Sequence, residues 1–584
     1  MDSFIIRTSD STPPPRREER LLSHLIPISL LALLTLVFAH SFVCVWNLGA
    51  APIEGSDPGV FMWVISWVNH ALLNQASDLF AANAFYPYPG SLAYSEHGFG
   101  VAVLVNWWYW FSDNPVIPYN LLLLFCYFGS AAGMYLLGYR YTNSRWGAFV
   151  SASVFAFAFF RTHHFGHLTL ICTAAFPISV WALHRLRDRW TWGRGAFWVV
   201  VTTLQCLSNW YVAVMLTLTL GCMTLFEAVR RPRPWPFLLK MVPLAAAVAL
   251  FLLPFAIPYM SHPVAGSIEE GFAFSADASD FIVPALNTLE GQIFDTREHW
   301  IWGEKTVYIG WVALLLAGLG LFWNRKRGLA WFYFGLGVVG FLLSLGPRTA
   351  GGHWLPLAYA FQFLPFIGQF RATARFAFLV VFAVSVLAGL AAARLDRRPW
   401  IPGVLAGLLL LEFFPIGLGF RPCATEPFAA RPVDLWLRAR NPAPSGPLGD
   451  RTPRQRDRRV VIELPDYSGT DEWPRESRYM LYSTQHWMNL VNGFSRFYPP
   501  SYASDFAVYS RFPDPAAIAF MRERRIDFVV VHLSAYDQAR REEILAAPGL
   551  VKRFGDDCVF DLGTSRHLQG EATRAVRKDA PVRQ

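Results

Sequence analysis

Three groups of polar side chains interrupt an otherwise apolar chain, and the first lies in "IEGSDPGV", which contains Glu54 and Asp57. A carboxylate there can accept a proton from a hydroxyl group or bind a hard divalent cation such as Mg²⁺ or Mn²⁺. The same residues also suit a structural role as a helix cap, because Asp57 followed by Pro58 is typical of a helix start. Further along, "YSEHGFG" adds the carboxylate of Glu96 and the imidazole of His97. The pattern is compatible with both capping and catalysis.

The second group is "RTHHFGHLTL", with Arg161, His163, His164 and His167. His163 and His167 are four residues apart and would share a helix face, which permits metal binding or phosphate contact. Alternatively, these side chains satisfy one another at a helix junction. Arg161 indicates phosphate more directly, since a planar guanidinium suits phosphate recognition.

The third group is the pair Arg371 and Arg375 in "FIGQFRATARF". At helical spacing, the two side chains could reach lipid headgroups or bind one phosphate between them. We favour phosphate binding because the loop before them presents the pair at the start of an apolar span. Lys305 starts another span and is a further phosphate candidate. The acids of the preceding loop, Glu304 among them, are expected to be mostly solvated.

The elements that position these groups are membrane spans. The chain has 584 residues, of which 54% are hydrophobic and 16% aromatic, and apolar runs of about 20 residues are long enough to cross a bilayer. The net charge of +9 comes from basic loops between the runs, a pattern that sets membrane orientation and gives no reason to expect nucleic-acid binding. Eleven α-helical spans are predicted, at 22–46, 118–139, 146–161, 168–184, 196–209, 211–228, 238–258, 307–323, 328–346, 374–393 and 400–419.

Five basic loops give the predicted orientation, because basic residues accumulate on the cytoplasmic side. They are 138–145, 184–194, 230–236, 324–328 and 393–400. Residues 1–21 form a cytoplasmic tail before an uncleaved first span. Placing all five loops inside requires that 98–111 does not cross the membrane. The outer face then receives the loops 47–117, 259–306 and 347–373.

The C-terminal region, 421–564, is predicted to be an extracytoplasmic α/β domain. "VVIEL" and "IDFVVVH" have the pattern of short buried strands, and helical patterns alternate with them. The segment 441–458 is expected to be a linker and 565–584 a disordered tail. Aromatic and amide side chains in 479–502 suit either sugar contact or docking onto the membrane part.

The order of parts resembles the GT-C superfamily of polytopic membrane glycosyltransferases, in particular bacterial members of the oligosaccharyl- and mannosyltransferase type. A first span is followed by an outward acidic motif, "EGSD", then a membrane-lying helix, many spans, a long outer loop and a C-terminal domain. "FYPYPGSLAYSEH", "RTHHFGHL" and "YSTQHWMNLVNGFSRFYPP" look like motifs of bacterial members. The resemblance covers roughly 22–420.

The resemblance implies an inverting hexosyltransferase in the bacterial plasma membrane. Its donor would be a polyprenyl-phosphate sugar, and its acceptor a glycan, lipid or protein outside the cytoplasm. Asp57 would be the catalytic base or a metal-associated acid, with Glu54 or Glu96 as its companion. The arginines Arg371, Arg375 and Arg161 would bind the donor phosphate. The other residues expected to contact substrate are His97, His164, His167 and Lys305. "EGSD" differs from the adjacent acid pair of some members, which leaves the divalent cation open.

Two other functions fit a polytopic chain, a transporter or flippase for lipid-linked saccharides and a non-catalytic scaffold. Transporters typically place ionisable residues inside their spans. Here the span interiors are nearly free of them, with Glu227 and Glu412 close to span ends, and the polar residues gather on one side. This asymmetry favours chemistry at the membrane surface.

Overall fold

The computed structural model describes most of the chain, namely residues 17–40, 43, 47–50, 56–74, 76–261, 268–286, 288–296, 303–348, 352–355, 357, 370–396, 398, 400–414, 428–441, 458–467, 472, 475–495 and 497–563. Glu54, nearly all of the expected linker and the expected C-terminal tail lie outside the described residues.

The membrane part is a helical bundle. Its helices are α1 (Arg17–Ala39), α2 (Ser56–Asn74), α3 (Phe99–Ala102), α4 (Val116–Thr142), α5 (Arg145–Phe157), α6 (Phe159–His163), α7 (Leu168–Ile171), α8 (Ala175–Asp188), α9 (Trp192–Cys206), α10 (Trp210–Val229), α11 (Trp235–Ser261), α12 (Ile268–Ala273), α13 (Leu289–Ile293), α14 (Trp311–Trp323), α15 (Gly328–Ser344), α16 (Ala377–Leu395) and α17 (Trp400–Phe413). Within the described residues, six helical segments are long and apolar enough to cross a membrane, at 22–39, 116–142, 168–188, 210–229, 235–261 and 373–395. A multi-pass membrane protein is therefore confirmed.

The other five predicted spans coincide with shorter helices, α5, α9, α14, α15 and α17, of 13 to 17 residues. At 1.5 Å per residue such helices rise about 20 to 26 Å, less than the roughly 30 Å of a hydrocarbon core. The count of eleven spans stays a prediction.

The centre of the bundle is α16, whose span is 94% buried. It packs against α5, α14 and α15, and small residues allow the backbones to approach closely. A Cβ on Gly320 would lie 1.9 Å from the Leu387 carbonyl oxygen, and one on Gly389 would lie 2.8 Å from that of Gly147. Glycine at such crossings is typical of helices that pack in a membrane.

All five basic loops gather at one end of the bundle. Contacts between the loops link all five. The hydrogen bonds run from Arg140 to Asp188, from Arg231 to the carbonyl of Arg187, from Arg394 to the carbonyl of Trp323 and from Ser144 to Asp396, and the Arg230 side chain lies close to Gly328. Basic loops on one side are what the orientation rule requires. Which side faces the cytoplasm stays a prediction.

The segment 98–111 forms two short pieces, the 4-residue α3 and an 8-residue 3₁₀ helix over Val103–Trp110. It packs against α2, and its side chains Trp107, Trp110 and Phe111 are exposed. Exposed aromatic residues are typical of a segment that lies at a membrane surface. It is not among the six segments long and apolar enough to cross.

The C-terminal part is a small α/β domain, as the strand patterns predicted. Its strands are β1 (Val460–Leu464), β2 (Asn489–Leu490), β3 (Phe528–His532), β4 (Leu550–Phe554) and β5 (Asp557–Asp561), in the order β2-β1-β3-β5-β4. β1 pairs in parallel with β2 and β3, whereas β5 runs antiparallel to β3 and β4. Its helices are α18 (Pro432–Arg438), α19 (Glu476–Ser483), α20 (Tyr502–Tyr509), α21 (Pro515–Glu523) and α22 (Gln538–Leu545).

Backbone hydrogen bonds at the edge strand β2 join this domain to the loop between α2 and α3, which belongs to the predicted first outer loop. Leu490 N–H donates to the Asn83 carbonyl at 2.6 Å, and Tyr86 N–H donates to the Leu490 carbonyl at 3.0 Å. Phe85 N–H donates to the Asn492 carbonyl at 3.3 Å. Because an edge strand has unpaired backbone groups, the loop continues the sheet and fixes the position of the domain over α2.

Candidate active site

A cluster of charged side chains lies at the end of the bundle opposite the basic loops. It is built from the first turn of α2, the loop between α6 and α7, the 3₁₀ turn 303–305 and the 3₁₀ turn that leads into α16. α10 and α16 both start at this end and finish at the basic end. The loop that carries Glu96 also reaches the cluster. Five segments that are far apart in sequence thus meet here.

Asp57 lies in the first turn of α2, and its carboxylate Oδ2 is 3.5 Å from His167 Nε2. The Asp57 side chain is 41% exposed, which makes it accessible from solution. The loop before His167 approaches closely, since a Cβ on Gly166 would lie 3.6 Å from the Asp57 Cβ. Partial burial lowers the pKa of His167, although the Asp57 carboxylate opposes this. The two groups form an acid–imidazole pair open to a substrate.

His167 also faces Glu304, whose Oε1 lies 3.7 Å from its Nε2. Glu304 in turn accepts two hydrogen bonds from Arg375, from Nε at 2.9 Å and from Nη2 at 2.5 Å. Burial would raise the pKa of Glu304, but the Arg375 guanidinium holds it well below its ordinary value. Glu304 was expected to be a solvated loop acid; its side chain is only 14% exposed, so that expectation was wrong.

Glu96 approaches the same guanidinium from another side, with its Oε1 4.0 Å from Arg375 Nη1. Its other oxygen accepts hydrogen bonds from Thr169 Oγ1 and from Asn209 Nδ2. Asn209 also caps α10, because its side chain accepts from Val212 N–H. The cap and the carboxylate contact together hold Glu96 in place.

His164 lies beneath the cluster and is 2% exposed. Its Nδ1 is 2.7 Å from the Phe160 carbonyl, and its Nε2 is 3.2 Å from Glu304 Oε2. Both neighbours are acceptors, so both contacts are satisfied when the ring carries two hydrogens.

Arg371 and Lys305 lie at the rim. Arg371 precedes the 3₁₀ turn Thr373–Phe376, so it does not share a helix face with Arg375 as the spacing suggested. Its guanidinium lies 4.6 Å from the Phe274 ring centroid, and within the described residues no carboxylate pairs with it. Lys305 Nζ is 3.8 Å from Asp277 and follows Glu304 directly. Both cations remain accessible to an anionic ligand.

Arg161 is not part of this cluster. It is 1% exposed, and all its guanidinium nitrogens donate within the protein. The acceptors are the carbonyls of Ala156, Cys126 and Ile171 and the hydroxyls of Thr173 and Ser130. The sequence-based assignment to phosphate is therefore corrected: Arg161 has no nitrogen left for a ligand, and it joins three helical segments instead.

His97 follows Glu96 but points away from it. Its Nδ1 accepts from Phe99 N–H at 3.0 Å, and its ring packs among Trp210 and Phe255. Burial lowers its pKa to about 3, so the ring is neutral. His97 anchors the loop that presents Glu96.

Two groups of residues have the types of donor atoms that metal ions prefer. In the cluster, the donor atoms come close in pairs, since His167 Nε2 lies 3.5 Å from Asp57 Oδ2 and 3.7 Å from Glu304 Oε1. Imidazole suits Zn²⁺, whereas carboxylates suit Mg²⁺ and Mn²⁺. The second group is Asp434, Glu463 and His486 in the C-terminal domain, all buried.

In that second group Arg431 already supplies the positive charge. Its guanidinium donates to Asp434 at 2.7 and 2.9 Å and to Glu463 at 2.9 and 3.0 Å. A metal ion beside it would meet a like charge at close range. We therefore regard this group as a structural ion-pair network.

The fold is similar to that of membrane glycosyltransferases of known structure. One is the arabinofuranosyltransferase AftD from Mycobacteria, with a TM-score of 0.55 and 13% identity, covering 96% of this chain. The chain spans only 40% of the length of AftD. Another is the oligosaccharyltransferase AglB from Archaeoglobus fulgidus, in complex with an inhibitory peptide and a dolichol-phosphate. It has a TM-score of 0.44 and 14% identity, with 88% of this chain and 70% of AglB covered. At this identity the likeness to AftD concerns the fold alone.

No curated protein matches the sequence significantly. A family model described as "Domain of unknown function (DUF6311)" matches residues 78–416, more than half of the chain. The chain belongs to the DUF6311 family.

Proposed function

We propose that this protein is a membrane glycosyltransferase that moves a sugar from a polyprenyl-phosphate donor to an acceptor hydroxyl at the extracytoplasmic surface. The observation that carries the proposal is the chain of contacts Asp57–His167–Glu304–Arg375–Glu96. It combines an exposed carboxylate with fixed positive charge at one end of a membrane bundle. The fold shared with AftD supports it.

Asp57 is the base in this proposal. It is the most exposed carboxylate of the cluster, so an acceptor can reach it. The acceptor oxygen attacks the anomeric carbon, and its proton passes to the Asp57 carboxylate. The new carbon–oxygen bond forms as the bond between the anomeric carbon and the phosphate oxygen breaks. The electron pair of that bond leaves with the polyprenyl phosphate, and the anomeric centre is inverted.

The donor phosphate is held by Arg371 and Arg375. Glu304 fixes Arg375 by accepting from its Nε and Nη2 atoms. The remaining nitrogen, Nη1, lies 4.0 Å from Glu96. Arg371 lies over Phe274 without a carboxylate partner within the described residues. Fixed guanidinium groups stabilise charge that develops on a phosphate leaving group. Lys305 adds positive charge at the rim.

A divalent cation used by the reaction would be held by Asp57 and His167, whose Oδ2 and Nε2 atoms lie 3.5 Å apart. It would supply positive charge beside the donor phosphate. His167 then acts as a ligand, whereas without a cation it holds the Asp57 carboxylate in place. Adding Mn²⁺ or EDTA to the purified protein distinguishes these two roles by its effect on turnover.

The direct test is incubation of the purified full chain with polyprenyl-phosphate sugars and a glycan acceptor, following loss of the donor. Consumption that requires Asp57 supports the proposal. Asp556→Asn is the matched control, because Asp556 lies exposed in the β4–β5 turn, away from the cluster. Equal turnover in Asp57→Asn and wild type would remove Asp57 from the mechanism.

A further inference from the structure

A second polar pocket lies at the other end of α2, where the C-terminal domain meets the first outer loop. It encloses about 360 Å³, counting the part that opens to solvent. Its lining residues are Ser66, His70, Leu73, Asn74, Tyr109, Asp113 and Trp487. None of them takes part in the candidate active site.

One wall of the pocket is aromatic. The rings of His70 and Trp487 are stacked, with centroids 4.0 Å apart and planes 22° from parallel. Trp67 lies behind both rings, 5.7 Å from His70 and 5.8 Å from Trp487. Trp487 belongs to the aromatic segment 479–502, so the domain itself supplies half of this wall.

His70 also contributes a buried donor. Asn74 Nδ2 lies 3.3 Å from His70 Nδ1 and donates to it, which places the ring hydrogen on Nε2. Burial, together with the charge of Arg458, holds the pKa of His70 well below its ordinary value, so the ring stays neutral. The Nε2 atom is buried and has no hydrogen-bond partner within the described residues. A buried N–H without a partner costs free energy unless a ligand or water accepts from it.

The remaining polar groups are hydroxyls and one acid. Ser66 Oγ donates to the Met62 carbonyl at 2.8 Å, so Tyr109 OH, 3.0 Å away, donates to Ser66 Oγ, and both hydroxyl oxygens can act towards a ligand only as acceptors. Asp113 lies at the exposed edge, where Arg438 pairs with it at 3.1 Å. Hydroxyl groups of a ligand can donate to the Asp113 carboxylate.

We propose that this pocket binds a neutral sugar unit. Sugars present flat C–H patches that pack on aromatic rings and hydroxyl groups that need both donors and acceptors. The pocket offers an aromatic wall, the His70 Nε2–H donor, two hydroxyl oxygens that accept and a carboxylate.

The pocket is separate from the candidate active site. His70 follows Asp57 by 13 residues on the same helix, which amounts to about 20 Å along its axis and about 140° around it. The sugar unit bound here is therefore not the one transferred at Asp57, and the inference does not depend on the proposed reaction.

The test is saturation-transfer-difference NMR on the detergent-solubilised full chain, with the methyl pyranosides of glucose, galactose and mannose as probes. We expect saturation transfer to at least one probe and no competition from inorganic phosphate. Trp487→Leu should weaken that binding about tenfold, as expected for loss of one aromatic wall. Tyr109→Phe and Asn74→Ala change single polar groups and should also weaken it.

Trp400→Leu is the matched control, since Trp400 is an exposed tryptophan on α17, and it should bind like wild type. Asp57→Asn should also keep probe binding, which distinguishes this pocket from the reaction site. No transfer to any probe, or equal transfer in the Tyr109→Phe, Asn74→Ala and wild-type proteins, would overturn the proposal. Displacement of the probe by inorganic phosphate would show an anion site instead.

Discussion

Glu304 and Arg375, which are 71 positions apart in the chain, form a bidentate ion pair. Both side chains are largely buried, and His167 lies between the pair and Asp57. The pair therefore fixes the positive charge of the cluster while Asp57 stays accessible.

Asp57→Asn should abolish most of the transfer activity with little effect on stability. Asparagine keeps the size of the side chain but cannot take up the acceptor proton, and loss of a general base typically lowers turnover about 10² to 10⁴-fold. Donor consumption measures the loss, and thermal unfolding in detergent checks the fold. A variant that unfolds early would instead assign Asp57 a structural role at the start of α2.

Glu304→Gln should destabilise the protein by about 3 kcal/mol, because the buried Arg375 guanidinium loses its bidentate partner and keeps the longer, 4.0 Å contact with Glu96. Replacing both residues, as Glu304→Gln with Arg375→Gln, should recover part of this loss, since the buried guanidinium charge is then removed as well. A double-mutant cycle on unfolding midpoints measures the coupling. Additive effects of the two substitutions would show that the ion pair contributes little.

Arg371→Ala and Arg375→Lys should affect donor binding differently. Arg371→Ala removes an accessible cation and should weaken donor binding with little change in stability. Arg375→Lys keeps the charge but loses the bidentate contact with Glu304, so it should lower both stability and donor affinity. Titration with a polyprenyl phosphate gives the affinities. Wild-type affinity in both variants would place the donor phosphate elsewhere.

The pH dependence of the C-terminal domain should follow His532 and Glu463, whose side chains lie 2.8 Å apart. Burial lowers the pKa of His532, but contacts with Asp557 and Glu463 raise it above its ordinary 6.5. Its stabilising contribution is therefore complete below pH 6.5 and is lost as the pH rises through the raised value. Burial would raise the pKa of Glu463, but Arg431 lowers it from 4.5 to about 2, so its contribution is lost as the pH falls towards 2.

Stability should thus be greatest between about pH 4.5 and 6.5. His532→Gln should flatten the alkaline decline and reduce the acid one only in part, because Arg431 still lowers the pKa of Glu463 after the contribution of His532 is lost. Unfolding midpoints of the full chain across this range give the comparison. An unchanged alkaline decline in the variant would assign it to another group.

Gly493→Ala should weaken the contact between the domain and the first outer loop. A Cβ at this position would lie 2.4 to 2.6 Å from the Phe85 ring, which is itself buried. Overpacking of this kind typically costs about 1 to 3 kcal/mol. Gly193→Ala is the control, because nothing lies within 4 Å of the added methyl group. Equal thermal stability of the two variants would contradict the docking described above.

The sequence by itself determined the membrane class, the α/β nature of the C-terminal domain and the shared position of the five basic loops. Hydropathy over windows of about 20 residues and the residue patterns of short strands are local properties. They do not depend on the tertiary contacts. It also singled out Asp57, Glu96, His164, His167 and Arg375, because charged side chains are rare in so apolar a chain.

Only the tertiary structure decided how these groups combine. Glu304 looked like any other loop acid until the fold brought it to Arg375, and Arg161 looked like a phosphate ligand until its acceptors were known. Both outcomes depend on contacts between segments many residues apart, which no local pattern encodes. For the same reason the pocket at His70 could not be expected from the sequence, since Trp487 reaches it only because the edge strand β2 pairs with the first outer loop.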